Sequence, residues 1–128
     1  MDDCAGASGL LPLTCTSSRP RPDVCVVRPV GELDIATAPL LAEYLREHSA
    51  DRPAELVLDL SGVTLLAAPG VAVIVGAAHH RDDVYGRLHL TGVAGNRPVE
   101  QVLDLTGVAA LVDVRPTVAA LLAELEDH

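Results

Sequence analysis

The sequence predicts a single α/β domain, with a mixed, mostly parallel sheet of four to five strands and about four helices. Three observations predict it. Short aliphatic and β-branched runs alternate repeatedly with stretches whose apolar residues recur at helical spacing. Thr, Asn, Pro and Gly punctuate the boundaries where helix starts and stops belong. The length, 128 residues with 49% hydrophobic content, suits one well-filled core. Strand followed by helix followed by strand implies right-handed crossovers and parallel neighbours.

The elements follow in order. Residues 1–12 are small and irregular and read as a loose leader, with the domain at 13–128. Leu13 to Thr16 forms a short edge strand, and Ser17 to Asp23 is turn-like around Pro20 and Pro22. Val24-Cys25-Val26-Val27 is a strand that ends near Pro29 or lies at an edge, because proline cannot donate to a ladder. Thr37 caps the first helix, with Pro39 in its first turn. Leu40, Leu41, Tyr44, Leu45 and His48 share its apolar face, and Asp51-Arg52-Pro53 ends it.

Leu56-Val57-Leu58 has the unbroken apolar character of a central strand covered on both faces. Asp59 to Pro69 reads as a loop. Gly70 to His80 leans towards strand by propensity, but its length makes it a helix. Arg87 to Thr91 is a strand, and Gly92 to Gly95 a turn. Asn96 caps a third helix that stops at Gly107 in a left-handed conformation. Leu111 to Val114 is the last strand. Thr117 caps a final helix with Val118, Leu121, Leu122 and Leu125 on its apolar face.

Composition excludes several classes. The formal charge is −9, and all nine basic side chains are Arg, so nucleic-acid binding is disfavoured. With only Tyr44 and Tyr85 as aromatics, stacking on bases or sugars has no platform. The absence of Lys removes Schiff-base chemistry and the phosphate-loop lysine. The uncharged run from Leu60 to Ala78 is broken by Pro69, Gly70 and Gly76 and has no basic flank, so no membrane span is expected. Met1-Asp2-Asp3 is acidic where a signal peptide is basic, and three cysteines without a Cys-x-x-Cys spacing suit a reducing cytoplasm.

No catalytic set emerges. Neither a nucleophile elbow nor a dinucleotide glycine fingerprint is present, and nothing places a base beside Ser61 or Thr64. No cofactor is called for. Adjacent His79 and His80 diverge on a helix and cannot share a metal, and His48, His89 and His128 lack ligand spacing. Cys15 and Cys25 flank a turn centred near Pro20. A symmetric hairpin would face them as a redox pair; the other reading is two small buried hydrophobes.

Three segments in register with these elements resemble the STAS family. They are Gly31-Glu32-Leu33-Asp34-Ile35-Ala36-Thr37 before the first helix, Leu56 to Val63 at the central strand, and Asn96-Arg97-Pro98 through Gly107 at the third helix. The resemblance runs from about Leu13 to Leu125 and implies a STAS-type domain. It implies an anti-sigma-factor antagonist of bacterial type, a regulator of transcription that works by protein binding. The partner implied is a serine-kinase-like, ATP-binding anti-sigma factor, and the protein itself is a monomer or weak homodimer. Many members are phosphorylated on a serine of an Asp-Ser-Ser-Gly loop, at a helix start where a phosphate meets free N–H groups. Here that loop is Ala67-Ala68-Pro69-Gly70. Pro69 stands at the acceptor position and has no hydroxyl, so the domain resembles a non-phosphorylatable member.

The resemblance assigns partner contacts to Glu32, Asp34 and Thr37 at the start of the first helix. It adds Ala67, Ala68, Pro69, Gly70 and Val71 at the second, with Ala67, Ala68, Pro69 and Val71 as an apolar rim. For Asp34 the alternative is a plain helix-start residue accepting backbone N–H bonds. Two other STAS roles also remain open, an accessory subunit of an ABC-type transporter ATPase and a ligand-sensing domain.

Overall fold

The computed structural model describes residues 13–83 and 87–126. A hairpin begins the fold. β1, Leu13–Arg21, runs antiparallel to β2, Val24–Leu33, across the two-residue turn Pro22-Asp23. Helix α1, Ala38–His48, leads to β3, Glu55–Asp59, and β4, Gly62–Leu66. Helix α2, Ala68–Asp83, is followed by β5, Arg87–Thr91, and α3, Arg97–Thr106. A short 3-10 turn, Val108–Ala110, then β6, Asp113–Val114, and α4, Val118–Glu126, complete it.

The sheet order is β1-β2-β3-β5-β6, with β4 also paired to β2. Every pairing but β1 with β2 is parallel. The expected mixed, mostly parallel sheet is present, with six strands among the described residues where four to five were expected. The added strand is β4, in the stretch read as a loop. Its pairing skips Thr64, since Gly31 lies opposite Val63 and Glu32 opposite Leu65. That extra residue breaks the period-two signal by which a strand is recognised.

β2 also continues beyond Pro29, where it was expected to stop. Val24 to Val27 pair with β3, and Val30 to Leu33 pair with β4. Pro29 falls in the gap between these two ladders, where a missing N–H interrupts neither. β1 is likewise longer than Leu13 to Thr16, because β2 offers it a partner along its length. Helix α2 begins at Ala68, two residues before the expected Gly70. Val71, Ile74 and Ala78 are buried at helical spacing, so tertiary packing overrides their strand propensity.

Each face of the sheet has its own core. The inner face packs Leu33, Leu58 and Leu90 with Leu41 and Tyr44 of α1, Ile74 of α2, and Val99 and Leu103 of α3. Each such aliphatic burial contributes about 1.5–3 kcal/mol. The outer face has a small cluster of Val24, Val26, Val57 and Leu121, joined by Val118, Leu122 and Leu125. Helix α4 therefore lies over the first half of β2.

Two helix ends match the sequence reading. Gly107 is left-handed at φ 74° and closes α3. The Ala120 N–H donates to Thr117 Oγ1 at 3.0 Å. Asn96 stands at the N-cap position of α3 as expected, but its side chain makes no cap hydrogen bond. Its Nδ2 donates to the Leu60 and Val63 carbonyls at 2.9 and 3.0 Å, tying α3 to the β3–β4 turn.

The cysteine expectation needs correction. The hairpin turns at Pro22-Asp23, not near Pro20, so Cys15 lies opposite Pro29. Cys25 lies four residues back along β2, roughly 13 Å from that position at strand rise. A disulfide bridges Cα atoms no more than about 7 Å apart, so the two do not form a redox pair. Both thiols are buried in the inner core, in keeping with small hydrophobes. Cys4 and the expected leader 1–12 lie outside the described residues.

Candidate functional site

The two sequence-distant segments meet at the ends of β2 and β4. Leu33 and Leu66 are parallel neighbours in the last register position of this ladder. Beyond them the chain turns into α1 on one side and α2 on the other. The Ala67 N–H donates to the Leu33 carbonyl at 2.9 Å, so the loops are joined through backbone. Gly70 completes the junction. A Cβ there would lie 2.8 Å from Leu66 Cδ1 and 3.0 Å from Leu33 Cβ. Glycine is needed for this close approach.

The start of α1 is held by its own side chains. Asp34 Oδ1 accepts the Ala36 and Thr37 N–H groups at 3.0 and 3.1 Å. Thr37, only 1% exposed, donates its hydroxyl to the Glu32 carbonyl at 2.7 Å and accepts the Asp34 N–H at 2.9 Å. Thr37 precedes α1 as expected but makes no side-chain cap. Its hydroxyl faces back into the loop. Asp34 and Thr37 thus act first as braces, which is the plain reading of Asp34.

At α2, Ala68 is exposed, and Ala67 and Pro69 are half-buried. Pro69 sits in the first helical turn, where its missing N–H costs little. Val71 is 8% exposed, so it does not belong to the expected rim, and Gly70, expected as a contact, is buried. Val71 is on the inward side of α2 and packs into the main core.

The exposed apolar side chains here are ones the sequence reading did not assign. Ile35 is 80% exposed, Leu65 44% and Val30 42%. Ile35 lies between Asp34 and the helix start, and Leu65 lies opposite Glu32. The available signal was Ile35 itself, a large apolar residue with no place in the apolar stripe of α1. Leu65 and Val30 carried no such signal, since neither strand was recognised that far.

His89 lies apart from this site. It is buried, with Nε2 2.6 Å from Glu55 Oε1 on β3. Among the described residues no group of three or more His, Cys, Asp or Glu side chains is placed to hold a metal ion. No described helix is long and apolar enough to cross a membrane.

Comparison with known proteins identifies the architecture. The STAS domain description matches residues 17–121. The anti-sigma-F factor antagonist RsfB of Mycobacterium tuberculosis is 38% identical over 55 residues. That match spans 43% of this chain and 45% of RsfB, less than half the length of the curated relative. The crystal structure of an anti-sigma factor antagonist from Mycobacterium paratuberculosis superimposes with a TM-score of 0.74 at 28% identity, covering 89% of this chain and 94% of that one. The anti-sigma factor antagonist SpoIIAA in its unphosphorylated form shares the fold, with a TM-score of 0.71 at 15% identity over 89% of this chain and 97% of that one. The matched region holds all of β2, both loop junctions and the sheet that joins them, and the chain belongs to the STAS domain family.

Proposed function

We propose that this chain is an anti-sigma-factor antagonist that acts by binding its partner in the cytoplasm, without catalysis of its own. The observation that carries the reading is the likeness to the Mycobacterium paratuberculosis antagonist, which extends over 94% of that chain at 28% identity. The docking surface is the ridge where the α1 and α2 starts meet. Glu32, Ile35, Ala68, Pro69 and Leu65 supply the contacts. Asp34, Thr37, Gly70 and Val71 hold the ridge in shape. The partner is an ATP-binding, serine-kinase-like anti-sigma factor, and binding it releases a sigma factor. Pro69 offers no oxygen to a phosphoryl group, so the complex is indifferent to the partner's kinase activity.

The test is purification of the tagged chain from its native cell extract, followed by mass spectrometry. An anti-sigma factor recovered in stoichiometric amount is expected. Recovery of a transporter ATPase in its place would overturn the reading.

A further inference from the structure

The outer face of the sheet carries a depression of about 350 Å³ beside the start of α4. Val26 of β2 and Val118 of α4 give it an apolar floor and wall. Thr16 and Ser18 of β1 are exposed and lie opposite Arg28 and Val26, so their hydroxyls share that face. Asp59 is two residues beyond Val57 on β3 and faces the same way. Arg28 Nε and Asp59 Oδ2 stand 3.8 Å apart at the rim, beyond hydrogen-bond reach. Asp59 Oδ1 accepts the Ser61 N–H at 3.1 Å, which orients the carboxylate. Arg28 is exposed and has further N–H donors to offer.

We propose that this depression binds a free aliphatic α-amino acid. A guanidinium and a carboxylate stand side by side at its rim, above an apolar floor. A simple anion would serve Arg28 but meet Asp59 with like charge, and the net charge of −9 repels it. A simple cation would serve Asp59 and be repelled by Arg28. A zwitterion serves both and carries no net charge. In an α-amino acid the ammonium and carboxylate flank one carbon, with nitrogen and oxygen roughly 3 Å apart. That spacing suits the two rim groups. The ligand carboxylate takes the Nη donors of Arg28, with the Thr16 and Ser18 hydroxyls beside it, and the ammonium donates to Asp59 Oδ2. The aliphatic side chain then lies on Val26 and Val118 and leaves water. Small-molecule pockets start at about 300 Å³, so the depression suits a ligand of this size. It draws on β1, β2, β3 and α4, and a ligand held only by the folded chain stabilises the fold by mass action. None of these residues belongs to the ridge at the α1 and α2 starts, so the proposal stands apart from the identity of the partner.

The test is titration of the isotope-labelled full chain with L-valine, followed by amide chemical shifts in nuclear magnetic resonance. Saturable shifts are expected at Thr16, Ser18, Arg28, Asp59 and Val118, with none at Ile35 on the ridge. Isobutyrate keeps only the carboxylate, isobutylamine keeps only the amine, and glycine lacks the side chain. Each is expected to bind about tenfold or more weakly than L-valine. Arg28→Gln changes an exposed side chain, and its spectrum reports directly whether the chain is folded. It is expected to lose about tenfold or more in affinity for L-valine. Ser18→Ala is a second, milder variant and is expected to weaken binding in the same direction. Absence of a saturable shift, or shifts scattered away from these residues, overturns the proposal. So does an analogue that binds as tightly as L-valine, or a folded Arg28→Gln chain that binds like the wild type.

Discussion

Gly70 lies so close to Leu33 that a Cβ built on it would sit 3.0 Å from the Leu33 Cβ, inside ordinary contact. The first turn of α2 therefore rests directly on the last pair of the β2–β4 ladder. Gly70→Ala is predicted to destabilise the fold by about 1–3 kcal/mol, the usual cost of forcing a methyl into a packed junction. Urea unfolding monitored by circular dichroism measures it. An unchanged midpoint would contradict the close approach.

Val71 and Ile35 are predicted to respond in opposite ways to the same substitution. Val71→Glu places a carboxylate in the main core and is predicted to cost several kcal/mol or to prevent folding. Ile35→Glu adds a charge to an exposed side chain and is predicted to change stability by no more than about 0.5 kcal/mol. Thermal unfolding of the two variants side by side decides it.

The mixed, mostly parallel sheet, the three inner helices and α4 were legible because strand runs and helix periods are local signals. The Gly107 stop and the Thr117 cap were read from single residues for the same reason. What escaped depended on partners distant in sequence. The extension of β2 past Pro29 requires β4, and β4 is disguised by its skipped Thr64. The hairpin turn was misplaced by two residues because Pro20 signals a turn as strongly as Pro22 does. The rim was misassigned at Val71 because the facing of a helix start depends on which residue opens the helix, and α2 opens at Ala68.

Thr37 tests the brace at α1. Its hydroxyl both donates to the Glu32 carbonyl and accepts the Asp34 N–H. Thr37→Val keeps the shape and leaves both groups unserved, with a predicted cost of about 1–3 kcal/mol. Thr37→Ser is predicted to recover most of that stability. Equal melting temperatures for the two variants would show that the hydroxyl is not used.

Arg19 and Asp51 tie the hairpin to the end of α1 through a 2.6 Å ion pair. The guanidinium holds the Asp51 carboxyl below its ordinary value. The folded state therefore binds fewer protons here than the unfolded chain, so this contribution is complete above the unfolded pKa, about 3.9. It is lost as pH falls through the lower folded value. Asp51→Asn is predicted to make the wild type's lead in stability vanish on acidification in that range. A difference between the two that persists at low pH would contradict the pairing.

Replacing the α2 loop tests the link between fold and switch. Ala67→Asp, Ala68→Ser and Pro69→Ser together lie at exposed or half-buried positions, so the variant is predicted to stay folded. Incubation with the anti-sigma partner and ATP is predicted to add a phosphate to this variant, read by intact mass. A variant that fails to fold would show that the α2 start does not tolerate the family loop.

The most direct measurement of the central claim is calorimetric titration of the wild-type chain into its anti-sigma factor, before and after incubation with ATP. The account predicts a stoichiometric complex of unchanged affinity in both cases, with no mass added to the chain. An absent complex, or one abolished by a phosphate on any residue from Ser61 to Val71, would contradict it.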